Sequence, residues 1–271
     1  MLLWIRSITI YNFLYKLSKR FINKYEQFSY DFNNNGELYL IKKLNSLNFH
    51  KIIFDVGANK GDWSLIASQH ILNSNIYTFE ISKDTFGILN ENTKNIKNIL
   101  NYNLALSDTN EKIKYKDYET NSRINTILNS NSFHDKNIKF ELKNCETIKG
   151  DDFCKREEIE IIDFLKIDVE GAERKVLKGF ENKIREGKIK IIQFEYGYAN
   201  GDDHCLMKDF YEFFINYGYQ IGPLKSNGVL FMDFDYKLNN FNSGPNFVAV
   251  HKKYSDIINT ITGKKIPSFP S

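Results

Sequence analysis

Apolar residues along this chain fall into short runs, each closed by an acid. Ile52-Ile53-Phe54-Asp55, Ile76-Tyr77-Thr78-Phe79-Glu80, Phe164-Leu165-Lys166-Ile167-Asp168 and Ile191-Ile192-Gln193-Phe194-Glu195 have the β-branched and aromatic content of buried strands. The pattern predicts strands near 51–56, 76–80, 99–105, 161–168 and 188–195, separated by helical spacing near 62–71, 83–93 and 172–186. Such alternation builds βαβ units, hence an α/β fold with a mostly parallel sheet and helices on both faces. An aromatic-rich helix is expected near 203–217, and late apolar strands at Gly228–Met232 and Phe247–Val250 close the sheet, the last one antiparallel. Between 106 and 158 the regularity lapses; Asn121–Asn137 is polar and reads as a loop over the site or as surface filler.

The N-terminal stretch has a different pattern. Leu3, Ile10, Leu14, Leu17, Phe21 and Tyr25 recur at helical spacing, accompanied by Arg6, Lys16, Lys19, Arg20 and Lys24 and by no acid. This predicts an amphipathic basic helix over 1–25, either packed on the flank of the main domain or lying on a membrane or partner surface. Its uncharged stretches fall short of the roughly 20 residues that span a bilayer, and no cleavage-site pattern of a leader follows it. Asn33-Asn34-Asn35-Gly36 separates it from a second helix near 37–47. The expected organisation is an extension over 1–48, a main domain over 49–252 and a tail over 253–271.

With 271 residues the chain can bury one substantial core. A formal net charge of +3 lacks the concentrated excess of a nucleic-acid binder. Three cysteines, Cys145, Cys154 and Cys205, form no C-x-x-C pair, which argues against a zinc site and for a reducing, cytoplasmic setting.

Chemistry concentrates at the ends of the strands. In Asp55-Val56-Gly57-Ala58-Asn59-Lys60-Gly61-Asp62, Gly57 and Asn59 suit a tight turn with left-handed backbone, Gly61 permits close helix–strand packing, and Asp62 caps the following helix. Neither G-x-x-x-x-G-K-[ST] nor G-x-G-x-x-G is present. The acid opening the loop repels a pyrophosphate and favours a cofactor with a cationic centre. Glu80 stands where an acid can accept both hydroxyls of a ribose. Each motif taken singly is also explained by a structural turn; together they favour S-adenosylmethionine over a nicotinamide.

At this point a family resemblance becomes specific. Phe54-Asp55-Val56-Gly57-Ala58-Asn59-x-Gly61-x-x-Ser64, Phe79-Glu80, Asn103-x-Ala105-Leu106-Ser107-Asp108 and Lys166-Ile167-Asp168-Val169-Glu170-Gly171-Ala172-Glu173-x-x-Val176-Leu177-x-Gly179 together resemble the FkbM-type methyltransferases over about residues 50–250. The resemblance implies a class I Rossmann-like methyltransferase fold, S-adenosylmethionine as donor, and a hydroxyl of a sugar or natural product as acceptor, here a glycan or glycolipid precursor. It implies that Asp55, Gly57, Asn59 and Gly61 hold the methionine part, Glu80 the ribose and Leu106-Ser107 the adenine edge. One departure is Glu80-Ile81-Ser82-Lys83 where the family commonly has Glu-Pro-x-Pro; Ser82 can cap the next helix instead.

On the acceptor side, Asp168, Glu170 and Glu195 end adjacent strands and converge, and clustered acids raise one another's pKa, so one can serve as a base. Turn-capping is the plainer role for each. The same trio could hold a divalent cation, but the catalytic lysine that usually accompanies such a metal has no evident place, so the reading adopted is metal-free acid–base chemistry. His204 and His251 are alternative bases, and Tyr196, Tyr198 and Tyr211 could stack on sugar rings or simply fill the core. The competing functions are a nicotinamide-dependent oxidoreductase and an inactive fold that docks through its basic helix.

Overall fold

The computed structural model describes residues 2–25, 28–47, 51–118, 125–127, 139–241 and 244–263. The apolar runs form the parallel strands β1 (Lys51–Val56), β2 (Ser74–Phe79) and β3 (Ile99–Tyr102) on one side of the sheet, and β7 (Ile162–Ile167) and β8 (Ile189–Glu195) on the other. β11 (Asn246–His251) inserts antiparallel between β8 and β9 (Tyr219–Lys225), and β10 (Gly228–Val229) pairs antiparallel with β9. The order is β10-β9-β11-β8-β7-β1-β2-β3. From β1 the chain runs outward through β2 and β3 and then returns to β7 beside β1. That reversal opens a crevice at the carboxyl ends of β1 and β7, where α/β sheets bind ligands.

Alternating side chains divide the core into two layers. Phe54, Leu165, Ile192 and Ala249 face α5 (Gly150–Arg156), α6 (Glu173–Gly179), α7 (Glu181–Arg185) and α8 (Met207–Asn216) through Phe153, Val176, Ile184 and Phe210. Their neighbours Ile53, Phe164, Ile191 and Val248 face the opposite layer, built by α2 (Glu37–Ser46), α3 (Asp62–His70) and α9 (Ser255–Ile261) through Leu40, Leu44, Trp63, Ala67, Ile257 and Ile261. Helices therefore cover both faces. Residues before 48 and after 253 supply part of one layer. By contrast, no side chain of α1 (Leu2–Tyr25) from Ile10 to Lys24 is buried, and no helix among the described residues is long and apolar enough to cross a membrane.

Several elements differ from the sequence reading. The strand expected over 99–105 divides into β3 and β4 (Ala105–Ser107). β4 joins β5 (Lys112–Asp117) and β6 (Glu141–Lys149) in a second sheet of order β4-β6-β5. β6 buries little more than Cys145 and Thr147, so it has no apolar run to reveal it. β9 was hidden by Gly222-Pro223, a pair that reads as a turn. The run at Gly228–Met232 keeps only β10 as a strand. The helix expected over 172–186 breaks at Gly179-Phe180 into α6 and α7, and the one expected from 203 starts at Met207. Of the loop at Asn121–Asn137, only 125–127 fall within the described residues.

Candidate active site

Gly57 follows β1 at φ 82°, and a Cβ there would lie 1.8 Å from the carbonyl oxygen of Asp168. The glycine lets the ends of β1 and β7 touch; its N–H and that of Ala58 both donate to the carbonyl of Phe79 at 2.9 Å. Asn59 is left-handed, at φ 50°. Gly61, at φ 89°, occupies the N-cap of α3, where a Cβ would meet Leu89 Cδ1 at 2.7 Å. Its close packing is thus against α4 (Lys83–Thr93) and not against a strand. Asp62 is the first helical residue and makes no cap; its charge favours the positive end of the helix.

Glu80 is buried at the end of β2. Its Oε2 accepts the Asn59 N–H at 2.9 Å and its Oε1 the Ser82 N–H at 2.8 Å, so loop and carboxylate fix each other. Burial raises its pKa to about 7 against those two donors. Each oxygen keeps a further lone pair for a ligand. Ser82 caps α4, accepting the Thr85 N–H at 3.4 Å, which supplies the local turn without proline.

Gly57, Ala58, Asn59, Asp62 and Glu80 line a cavity of about 590 Å³. Of the expected cofactor residues, Gly57, Asn59, Glu80 and Leu106 reach its wall. Asp55, Gly61 and Ser107 stand behind it. Asp55 is 0% exposed, accepting Ser64 Oγ at 2.6 Å and Lys166 Nζ at 3.1 Å, and Ser107 Oγ donates to Asp108 at 3.1 Å.

At the other end of the cavity, one carboxylate oxygen from each of Asp168, Glu170 and Glu195 lies within 4.8 Å of the others. Glu195 is pushed well above the usual carboxylate range, first by burial and then by Asp168 and Glu170, and it shares a hydrogen bond with Asp168. A side pocket of about 130 Å³ opens beside Glu170 and Glu195, with Tyr30 and Tyr198 on its walls.

Residues 55–221, more than half of the chain, match the model of the methyltransferase FkbM domain. The chain belongs to the FkbM methyltransferase family. It is similar to the hexuronic acid methyltransferase AglP of Haloferax volcanii, 26% identical over 147 residues, a match covering 54% of this chain and 56% of that protein. The chain thus spans little more than half the length of that relative. Among solved structures it is similar to M. capricolum TrmK in complex with S-adenosyl-homocysteine, at 13% identity and a TM-score of 0.40 over 83% of this chain and 67% of that one. It is also similar to the METTL16 methyltransferase domain, at 10% identity and a TM-score of 0.44 over 79% and 66%.

Within this FkbM site, several residues escaped the sequence reading. Lys166, inside the quoted motif, places Nζ 3.2 Å from Asp168 Oδ2 and 5.8 Å from the Trp63 ring, so a lysine does stand beside the acids. Its spacing of two from Asp168 on a strand was the available signal. Glu173, 1% exposed, accepts the N–H groups of Val169 and Gly171 at 3.1 and 3.3 Å and Asn200 Nδ2 at 2.5 Å, which pins the turn bearing Glu170. Tyr30, Phe32 and Glu37 reach the cavity from the N-terminal segment, with Glu37 Oε1 accepting Gln193 Nε2 at 2.8 Å. Nothing local in the sequence marked them.

The alternative bases do not join the cluster. β11 runs antiparallel to β8, so His251 is carried to the opposite edge of the sheet, where its Nδ1 accepts the Lys253 N–H at 3.2 Å. His204, in a left-handed turn at φ 52°, is absent from the cavity wall. Tyr196 and Tyr211 are core residues, the former donating to the Asn239 carbonyl at 3.1 Å; Tyr198 is 51% exposed.

Proposed function

We propose that this chain is an S-adenosylmethionine-dependent O-methyltransferase that acts on a sugar hydroxyl of a glycan or glycolipid precursor. The carrying observation is the charge and shape of the crevice between β1 and β7. Glu37, Asp62, Glu80, Asp168, Glu170 and Glu195 line it, against Lys60 and Lys166. Such a wall suits a cationic ligand and disfavours the pyrophosphate of a dinucleotide. Glu80, anchored by Asn59 and Ser82, fits the ribose hydroxyls. Phe79, Leu106 and Ile127 offer an apolar edge for adenine, and the Gly57–Asn59 backbone faces the remainder. When bound, the donor supplies a methyl group on a sulfonium sulfur.

In this reading the chain's own groups align the acceptor and remove its proton. Asp168 already takes a hydrogen bond from Lys166 and shares one with Glu195, which makes it a positioning group. Glu170 receives the proton of the acceptor hydroxyl. Lys166 cannot, because its partners keep it charged. Support for a sugar comes from the family relative that is a hexuronic acid methyltransferase. Calorimetry with S-adenosylmethionine and with NAD tests the donor, and labelled-methyl transfer to a panel of glycans and lipid-linked sugars tests the reaction. Binding of NAD in preference to S-adenosylmethionine overturns the reading.

A further inference from the structure

The side pocket that opens from the acid cluster carries an inference about the acceptor, resting on the function proposed above. Its polar lining is Tyr30, Glu170, Glu173, Glu195, Tyr198 and Asn200; the remaining wall is glycine and alanine. Among the described residues no lysine, arginine or histidine lines it. Lys166 and Lys60 line the larger cavity, Lys166 engaged with Asp55 at 3.1 Å and with Asp168 at 3.2 Å. Two exposed phenols, one from the N-terminal segment and one from the turn after β8, therefore flank a pocket whose other ionisable lining groups are the carboxyls of Glu170, Glu173 and Glu195. The rise in the Tyr30 pKa, from burial first and then from Glu195, Glu170 and Tyr198, agrees with those groups lying close together.

We infer that this pocket seats the acceptor as an uncharged sugar ring between Tyr30 and Tyr198, and that it rejects a uronic acid. Aromatic faces suit the apolar C–H face of a pyranose, and carboxylates with Asn200 suit its hydroxyls. A carboxylate on the ring would meet the carboxyls of Glu170, Glu173 and Glu195 and, among the described residues, no cation of the lining. In a pocket partly shielded from water that repulsion is several times what it is in bulk solvent, and among the described residues no guanidinium or ammonium lines the pocket to pair with it. The acceptor chemistry thereby departs from that in the name of the haloarchaeal relative.

The test uses the full chain and matched pairs of 4-nitrophenyl hexosides and 4-nitrophenyl hexuronides. Calorimetry with S-adenosylmethionine comes first; absence of binding there overturns the proposed function itself. With donor binding established, sugar binding is followed by saturation-transfer NMR with S-adenosylhomocysteine present, and turnover by labelled-methyl transfer. The expected result is at least a tenfold preference for one or more hexosides over the matching uronide. Tyr198→Ala should raise the acceptor KM about tenfold with kcat and donor affinity nearly unchanged, Tyr30→Ala should raise the acceptor KM likewise, Tyr198→Phe should restore it, and Tyr198→Arg should narrow the preference against the uronide. A uronide bound equally or better, no hexoside binding at all, or alanine variants with wild-type KM would each overturn the inference.

Discussion

Lys166 Nζ sits between Asp55 Oδ1 and Asp168 Oδ2, at 3.1 and 3.2 Å, with its own side chain and that of Asp55 buried. Burial opposes its charge, yet Asp55, Asp168 and Glu37 outweigh that and push its pKa up. The ammonium is thus a fixed cation that holds two carboxylates in place. Replacing it leaves Asp55, with no exposure to solvent, as an uncompensated buried charge. Lys166→Met should therefore cost about 3–5 kcal/mol in urea unfolding, the usual consequence of breaking a buried pair, and Asp55→Asn in the same chain should recover part of it. The reacting acids are expected to behave differently. Asp168→Asn and Glu170→Gln should leave donor affinity nearly intact and lower turnover by about 10² or more, since a positioned base is worth roughly 10² to 10⁴. Wild-type rates in both would remove them from the chemistry. At the opposite end, Glu80→Ala should weaken S-adenosylmethionine binding by about 1.5–3 kcal/mol in calorimetry, the range for hydrogen bonds to a charged group.

At the scale of elements, the decisive piece is the turn between β7 and α6. Glu170 and Gly171 are both left-handed there, at φ 53° and 99°, and the Glu173 side chain ties the turn to Asn200. Glu173→Ala strands buried donors at about 1–3 kcal/mol and should lower both melting temperature and turnover, because Glu170 is aimed by this turn. Burial raises the Glu173 and Glu80 carboxyls to about 7 in the folded chain. The unfolded chain releases those protons near pH 4.3. Between these values the folded state binds more protons, so its stability falls as pH rises and levels off above about 7. Thermal unfolding of the unliganded protein from pH 5 to 8 checks the sign, and Glu173→Gln should flatten the slope. The turn was legible as Asp-Val-Glu-Gly-Ala-Glu, but the work of its last acid was not, because Asn200 comes from a separate segment. The hairpin of β5 and β6 was illegible for a simpler reason: with one face in water and little buried, it lacks the apolar signature of a strand.

For the whole molecule, the N-terminal segment plays two parts that one sequence label had merged. α2 is core, with Leu40, Ile41 and Leu44 buried against the sheet, and the stretch before it brings Tyr30 and Phe32 to the cavity. α1 presents Ile10, Leu14, Leu17 and Phe21 to solvent beside a face of Lys16, Lys19 and Arg20. That combination suits an anionic lipid surface. Flotation should carry the full chain with phosphatidylglycerol vesicles at low salt and lose it as screening shortens to roughly 8 Å at physiological strength. A chain beginning at Asn33 should remain unbound. Equal flotation of both, or failure of the shorter chain to fold, would make α1 a structural element.

Apolar periodicity and the acids closing each run were enough to place five parallel strands and both ends of the cavity, because buried strands in a parallel sheet must be apolar and their carboxyl ends must converge. Gly57, Asn59 and Glu80 were readable for the same reason: a turn between such strands accepts few residue types. Only the tertiary structure decided that Asp55 serves Lys166 behind the wall, that His251 lies at the far edge, and that Tyr30 from the N-terminal segment meets Tyr198 across the side pocket. Those relations depend on strand direction and on contacts between distant segments, and local spacing along a chain records neither.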